Sequence, residues 1–396
     1  MMPSSPQNTS SVLILDANQR SALAATRSLG RKDGVLVSTA DSTISALAGS
    51  SRYSTNYYQS PCPKTNPTAF IDWLSDVTNK QSFDIIFPMT EISSQLLLMH
   101  QDRLPKTCKI PFADYKTIMQ LADKCQLMQL ASTLGITHPQ TAYYDNAAQL
   151  DAAEVTQFPT VIKPGLSRVW ADNHWIETAV TIPQDSTELS KQLNKDYLKS
   201  HPFMLQQFIP GHGAGVFALY DHGKPVTFFA HQRLREKPPR GGVSVLSQSA
   251  ELDKQLLTIT CKLLDSVQWH GVAMVEFRIA PDGTPYLMEV NTRFWGSLQL
   301  AIDAGVDFPA LLLAITMGEP VYPPPSYNKT QLRWLLGDLD SLYLYLKDPG
   351  FSPLQKLRRI AQFLWPSLHT RHEVNRWSDL KPAWFELKQY LAALRH

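Results

Sequence analysis

Val275-Glu276-Phe277-Arg278-Ile279-Ala280-Pro281-Asp282-Gly283-Thr284-Pro285-Tyr286-Leu287-Met288-Glu289-Val290-Asn291 is the most informative stretch of this chain. Asp-Gly between two runs of strand-forming residues is a strong two-residue hairpin signal. With Asp282 and Gly283 as the loop, Glu276 falls directly opposite Glu289. Asn291 lies two residues beyond Glu289 and so points to the same face of its strand. Two carboxylates opposed at roughly 5 Å destabilise a sheet unless something compensates. A divalent cation would do so, and oxygen ligands without Cys or His suit magnesium shared with nucleotide phosphates. The competing explanation is a solvated polar face closed by Arg278 or Arg293. The flanking Val272, Met274, Met288 and Val290 speak for a half-buried sheet. The residues alone leave both open.

Upstream, Ser11 to Ala40 reads as an apolar strand, a small-residue helix and a second strand, the pattern of a βαβ unit opening a parallel sheet. Its first loop, Asp16-Ala17-Asn18-Gln19, has no GxGxxG, so the glycines that admit a dinucleotide pyrophosphate are missing. A helix over Ala69 to Val77, a buried strand from Phe83 to Pro88 and a helix from Met89 to His100 follow. Thr90 and Glu91 stand where an open parallel sheet takes ligands, or where they would cap the helix. A helix over Lys116 to Gly135 begins a second region. Strand-like Thr160–Lys163, a polar helix near Ser186–Leu198 and strand-like Phe203–Phe208 come next. Hairpins then extend through Asn291, with Asp221-His222-Gly223 as one turn.

Tyr322-Pro323-Pro324-Pro325 reads as a linker, and residues 331–396 as a helical extension rich in Trp, Tyr and Phe. Within it, Leu354, Leu357, Ala361 and Leu364 share one helix face, with Lys356, Arg358 and Arg359 largely elsewhere. The favoured expectation is that this apolar stripe packs on the body, the alternative being a membrane-surface helix.

Composition narrows the function. With 37 Lys and Arg against 35 Asp and Glu, the net charge of +2 gives no reason to expect nucleic acid. Cys62, Cys108, Cys125 and Cys261 have neither a zinc spacing nor a disulfide framework. The polar start MMPSSPQNTSS and the short run Val12–Leu15 resemble neither a signal peptide nor a membrane span. The expectation is a cytoplasmic protein without integral membrane association.

Four motifs in order resemble the ATP-grasp superfamily, and specifically its carbamoyl-phosphate-synthase-like group of predicted carboxylate-amine ligases or carboligases. They are Asp123-Lys124; Pro159-Thr160-Val161-Ile162-Lys163-Pro164; Gln206-Gln207-Phe208-Ile209-Pro210-Gly211; and the hairpin with Glu276, Glu289, Asn291 and Arg293. His231 to Gly242 and Arg293 to Leu300 carry the narrower likeness. The resemblance runs from about residue 12 to residue 320. It implies an α/β and α+β fold: a tail over 1–11, an N-terminal parallel α/β domain over 12–111, a two-lobed ATP-grasp core over 112–320 and the helical extension over 331–396. It implies ATP held by Lys124, Lys163 and the segment Gln206, Gln207, Phe208 and Ile209. It also implies Mg2+ on Glu276, Glu289 and Asn291, with Arg293, Arg233 and Arg235 stabilising phosphoryl transfer.

Two departures stand out. Gln206 replaces an often acidic residue, and the usual glycine- and serine-rich flap is Gly165-Leu166-Ser167-Arg168-Val169-Trp170. The expected function is an ATP- and Mg-dependent ligase that activates a small-molecule carboxylate as an acyl phosphate for attack by an amine or another nucleophile. The alternatives are a bicarbonate-activating carboligase and a non-catalytic ATP-binding module; a homodimer is an allowed assembly.

Overall fold

The computed structural model describes residues 9–239, 241–365 and 369–395. Most of the tail expected over residues 1–11 lies outside them, but Ser10 and Ser11 already belong to β1 (Ser10–Ile14). β2 (Val35–Asp41), β3 (Asn56–Gln59) and β4 (Ile85–Phe87) complete a parallel sheet in the order β3-β2-β1-β4. Val12, Ile14, Val37, Ile85 and Phe87 are fully buried, as expected of strands covered on both faces. α1 (Arg20–Leu29), α2 (Pro67–Lys80) and α3 (Glu91–Met99) cover this sheet. Thr90 caps α3 by accepting from Ser93 N at 3.3 Å.

The helix expected over Lys116 to Gly135 is broken. α4 (Tyr115–Ala122) ends at Asp123, which caps α5 (Lys124–Thr133) by accepting from Cys125 N and Gln126 N. Gly135 follows with a left-handed φ of +62°.

A small lobe comes next. β5 (Thr141–Tyr144) and β6 (Thr160–Pro164) flank β9 (Phe203–Gln207), and all its pairings are antiparallel. Between them lie the hairpin β7 (Arg168–Ala171) and β8 (His174–Glu177), and the helices α6 (Ser186–Leu193) and α7 (Asp196–Ser200). This lobe has its own core of Ile162, Leu189, Leu198 and Phe203.

The large lobe is one seven-stranded sheet, β14-β13-β10-β11-β12-β15-β16. Its strands are β10 (His212–Asp221), β11 (Lys224–Lys237), β12 (Val243–Ala250), β13 (Gly271–Ile279), β14 (Pro285–Asn291), β15 (Gln331–Arg333) and β16 (Thr370–His372). The last two are three-residue strands within the extension expected to be helical. α8 (Lys254–Ser266), α9 (Leu298–Ala304) and α10 (Phe308–Met317) pack into its core. Among the described residues no single helix is long and apolar enough to cross a membrane.

The extension adds α11 (Leu335–Lys347), α12 (Pro353–Leu364) and α13 (Lys381–Ala393). It is bound back to the start of the chain. Arg27, 1% exposed, pairs with Asp379 at 2.9 Å and donates to the carbonyls of Glu373 and Val374. Asp379 also accepts from Ser51 Oγ and Arg52 N, and Arg20 pairs with Glu373.

α12 reverses the expected packing. Arg359 faces inward onto Asp338, whereas Leu354, Leu357 and Leu364 are 76%, 64% and 62% exposed. The inward side is satisfied by an ion pair, and the apolar stripe faces out.

Candidate active site

The two glutamates do face each other: Glu276 pairs with Glu289 across β13 and β14. The turn differs from the two-residue loop expected. Gly283 N donates to Ala280 O and Ala280 N to Thr284 O, so the loop is Pro281-Asp282-Gly283, with Gly283 at φ +88°. That shifts the register by one residue as far as Phe277, which pairs with Leu287. Met288 is then left unpaired as a bulge, and the shift is undone at Glu289. The bulge also sorts the faces: Leu287 and Val290 are buried in the core, while Glu289 and Asn291 turn to the cleft.

Asn291 Nδ2 donates to Glu276 Oε1 at 2.8 Å, and Arg233 Nη2 to Glu276 Oε2 at 3.1 Å. Lys124 Nζ lies 3.7 Å from Glu289. Arg278 does not close the pair; its Nε donates to Ile209 O at 3.2 Å, tying β13 to the segment after β9. Burial, and then repulsion from Glu289, hold the Glu276 carboxyl above the ordinary glutamate range. Such a pair attracts a cation, and its donors are oxygens only. The residues therefore fit a hard divalent ion such as magnesium.

Lys124 and Lys163 approach this pair from different elements. Lys124, 7% exposed, is the first residue of α5. Its backbone N donates to Gly165 O at 2.7 Å, and its Nζ to Ser167 Oγ at 3.3 Å. The loop after β6 and the start of α5 are thus one unit. Lys163 Nζ lies 3.7 Å from Met288 Sδ, and burial lowers its pKa to about 8 against the pull of Glu289.

Gln206 is 2% exposed, and its Nε2 donates to Thr141 Oγ1 at 2.9 Å while its Oε1 finds no partner. Gln207 closes β9 with an exposed side chain, and Phe208 and Ile209 continue towards the Arg278 contact.

Next to the glutamates a cavity of about 750 Å³ opens towards the N-terminal sheet. Lys124, Glu289, Asn291 and Arg293 line it on one side. Asn18, Arg20 and Glu91 line it from the strand ends and helix starts of the N-terminal domain, and Arg168 from the small lobe. Glu276, Lys163 and Gln206–Ile209 do not line it. Burial raises the Glu91 carboxyl, opposed by Lys124, Arg293 and Arg168. Asp16 shapes this wall: at φ +56° its Oδ2 accepts from Met89 N and Thr90 N, each at 2.9 Å. Asn18 is fixed by Asp41 at 2.8 Å, and Arg20 lies over the Trp334 ring at 3.9 Å. Asn18 and Arg20 were not singled out from sequence. Their position just past the C-terminal end of a parallel strand was the available signal.

Arg235 is not brought to this site. The segment from His231 to Lys237 is strand, and it bulges at Leu234. Arg233 therefore reaches Glu276, while Arg235 turns to the buried Asp338 at 2.8 Å.

Residues 199–337 match the family model described as "ATP-grasp in the biosynthetic pathway with Ter operon". The carbamoyl phosphate synthase large chain of Pyrococcus furiosus is 25% identical over 271 residues, covering 65% of this chain but 24% of that protein. The chain thus spans about a quarter of that relative. D-alanine–D-alanine ligase of Aquifex aeolicus is 22% identical over 219 residues, covering 52% of this chain and 72% of the relative. Among solved structures, N5-carboxyaminoimidazole synthetase from Staphylococcus aureus superposes with a TM-score of 0.63 at 15% identity, covering 84% and 83% of the two chains. It is also known complexed with ADP. The fold of this chain is that of the ATP-grasp ligases.

Proposed function

We propose that this protein is an ATP- and magnesium-dependent ligase that activates a small-molecule carboxylate as an acyl phosphate and passes the acyl group to an amine. The observation that carries this is the opposed pair Glu276 and Glu289, bridged by Asn291 and ringed by Lys124, Lys163, Arg233 and Arg293. A purely structural role gives no reason to gather so many charges at one cleft.

In this reading the core over 112–320 holds ATP between its lobes, with Lys124 and Lys163 on the phosphates and Gln206 to Ile209 along the base. Glu276, Glu289 and Asn291 would hold magnesium, which when bound supplies positive charge to the phosphoryl oxygens. Arg233 and Arg293 add fixed charge at the same place. The domain over 12–111 presents Asn18, Arg20 and Glu91 to the carboxylate substrate. A carboxylate oxygen attacks the γ-phosphorus, and the bond to the ADP oxygen breaks. The amine then attacks the acyl carbon, phosphate leaves with the C–O bonding pair, and the amine gives up a proton. No side chain needs to be a covalent nucleophile; positioning carries the reaction.

The cavity favours an organic acid over bicarbonate. Its roughly 750 Å³ lies on the N-terminal side of the glutamates, apart from Lys163 and the Gln206–Ile209 segment. A one-carbon acid does not require that volume. Screening carboxylates and amines for ADP release, with mass spectrometry of the product, tests the proposal. Bicarbonate-dependent hydrolysis without an organic acid would replace it with the carboligase reading, and tight ATP binding without turnover would replace it with a regulatory module.

A further inference from the structure

More than half of the large apolar side chains that stand exposed among the described residues lie between Leu339 and Leu394. α12 contributes an outward arc of Leu354, Leu357, Ala361 and Leu364, continued by Trp365 at 82% exposure. Two more tryptophans, Trp377 and Trp384, are 94% and 63% exposed. Three exposed indoles on one short extension are unusual for a surface that meets only water, because each adds a large apolar area.

The exposed charges of the same stretch have one sign. From Pro353 onward the exposed charged residues described are Arg358, Arg371, Lys381, Lys388 and Arg395. The three acidic residues of the same span are turned inward. Glu373 and Asp379 are each 3% exposed and serve Arg20 and Arg27, and Glu386 accepts from Trp334 Nε1 at 2.7 Å.

We propose that the outward stripe of α12 is a docking surface for an anionic lipid membrane, with α12 lying in the plane of the interface and the exposed cations of the extension drawing it to the leaflet. Leucines facing out with tryptophan at the end and arginine and lysine at the flanks match the requirement for interfacial binding. The basic flank matches the negative potential of an anionic leaflet. A second copy of the chain fits less well. A two-fold contact through this surface would set the same unbalanced cations against each other. The inverted packing of α12 is then no defect: Arg359 fastens the helix to Asp338 at 2.6 Å and leaves the stripe free for lipid.

The test is flotation of the full chain with vesicles of phosphatidylcholine alone or mixed with phosphatidylglycerol. Binding is expected to the mixed vesicles only, and to weaken as salt rises. Leu357→Asp, at an exposed position, should lower the partition coefficient roughly tenfold or more without changing thermal unfolding. Lys388→Glu combined with Arg395→Glu should act in the same direction. Absence of flotation with the anionic vesicles, or flotation untouched by Leu357→Asp, overturns the proposal. So does sedimentation as a dimer that Leu357→Asp dissociates while vesicles are ignored, since a second copy then covers the stripe. Capture of an acidic protein partner without lipid binding overturns it equally.

Discussion

Glu276 and Glu289 stand opposite each other although the loop between their strands is one residue longer than their pairing alone suggests, because the bulge at Met288 takes up the difference. Their surroundings are not symmetrical. Asn291 donates to both, at 2.8 Å to Glu276 and 3.5 Å to Glu289, but Arg233 pairs with Glu276 and Lys124 with Glu289.

Replacing Glu289 by Gln removes one anionic ligand from the proposed magnesium site and is expected to lower turnover roughly a hundredfold or more. Without metal, the substitution relieves repulsion with Glu276 but deprives Lys124 and Lys163 of a counter-charge. These effects oppose each other at a partly exposed site, so metal-free stability should move by less than about 1 kcal/mol. ATP turnover measured beside metal-free thermal unfolding checks both, and an active variant would sink the metal assignment.

Lys163→Ala should weaken ATP binding roughly ten- to hundredfold, the value of a charge-assisted phosphate contact. The parent should show a pH dependence from the same group. Burial brings the Lys163 pKa to about 8, so its charge is present below that pH and lost above it. ATP affinity should be flat up to pH 8 and then fall by up to about tenfold per pH unit. Calorimetry across pH, with Lys163→Ala lacking this fall, is the measurement.

Arg233 and Arg235 should separate cleanly. Arg233→Ala is expected to reduce turnover with little loss of stability, as the side chain is partly exposed. Asp338 instead holds Arg235, Arg333 and Arg359 together and is fully buried. Asp338→Ala would leave three guanidiniums without their anion and should cost about 3–5 kcal/mol. Denaturant titration of the variants, with ADP-release assays, would contradict this if Arg235→Ala proved stable but inactive.

Gly165 is a packing requirement. A Cβ there would lie 2.8 Å from Asp123 Oδ1, the atom that caps α5. Gly165→Ala should disturb that cap, costing about 1 kcal/mol, and displace Lys124 from Ser167. The expected result is a higher KM for ATP. A KM unchanged from the parent would argue that Lys124 does not depend on this junction.

The N-terminal βαβ unit and the opposed glutamates were legible because they rest on strong periodicity and on a turn signal, whereas Lys124 came only with the family resemblance. What was missed is physical in a different way. A three-residue turn with a compensating bulge gives the same Glu276–Glu289 pairing as a two-residue turn, so alternation cannot distinguish them. Arg233 and Arg235 were grouped only by the family resemblance, and the bulge at Leu234 turns the two to different partners. β15 and β16, three residues each, are too short to show a period. In α12 the stripe marks two faces but not which one meets the body; the buried Asp338, remote in sequence, decides that.

The tie between Arg27 and Asp379 has a mechanical consequence. It bolts the first helix of the chain to its last segment, and Arg376 adds a bond to Asp303 on α9. The parallel sheet and the large lobe therefore behave as a single anvil. The small lobe has a separate core, and its β7–β8 hairpin reaches the anvil through Trp175, whose indole donates to Pro63 O at 3.1 Å. Any displacement of that hairpin from the parallel sheet would have to break the Trp175 bond together with the Lys64–Glu177 ion pair beside it.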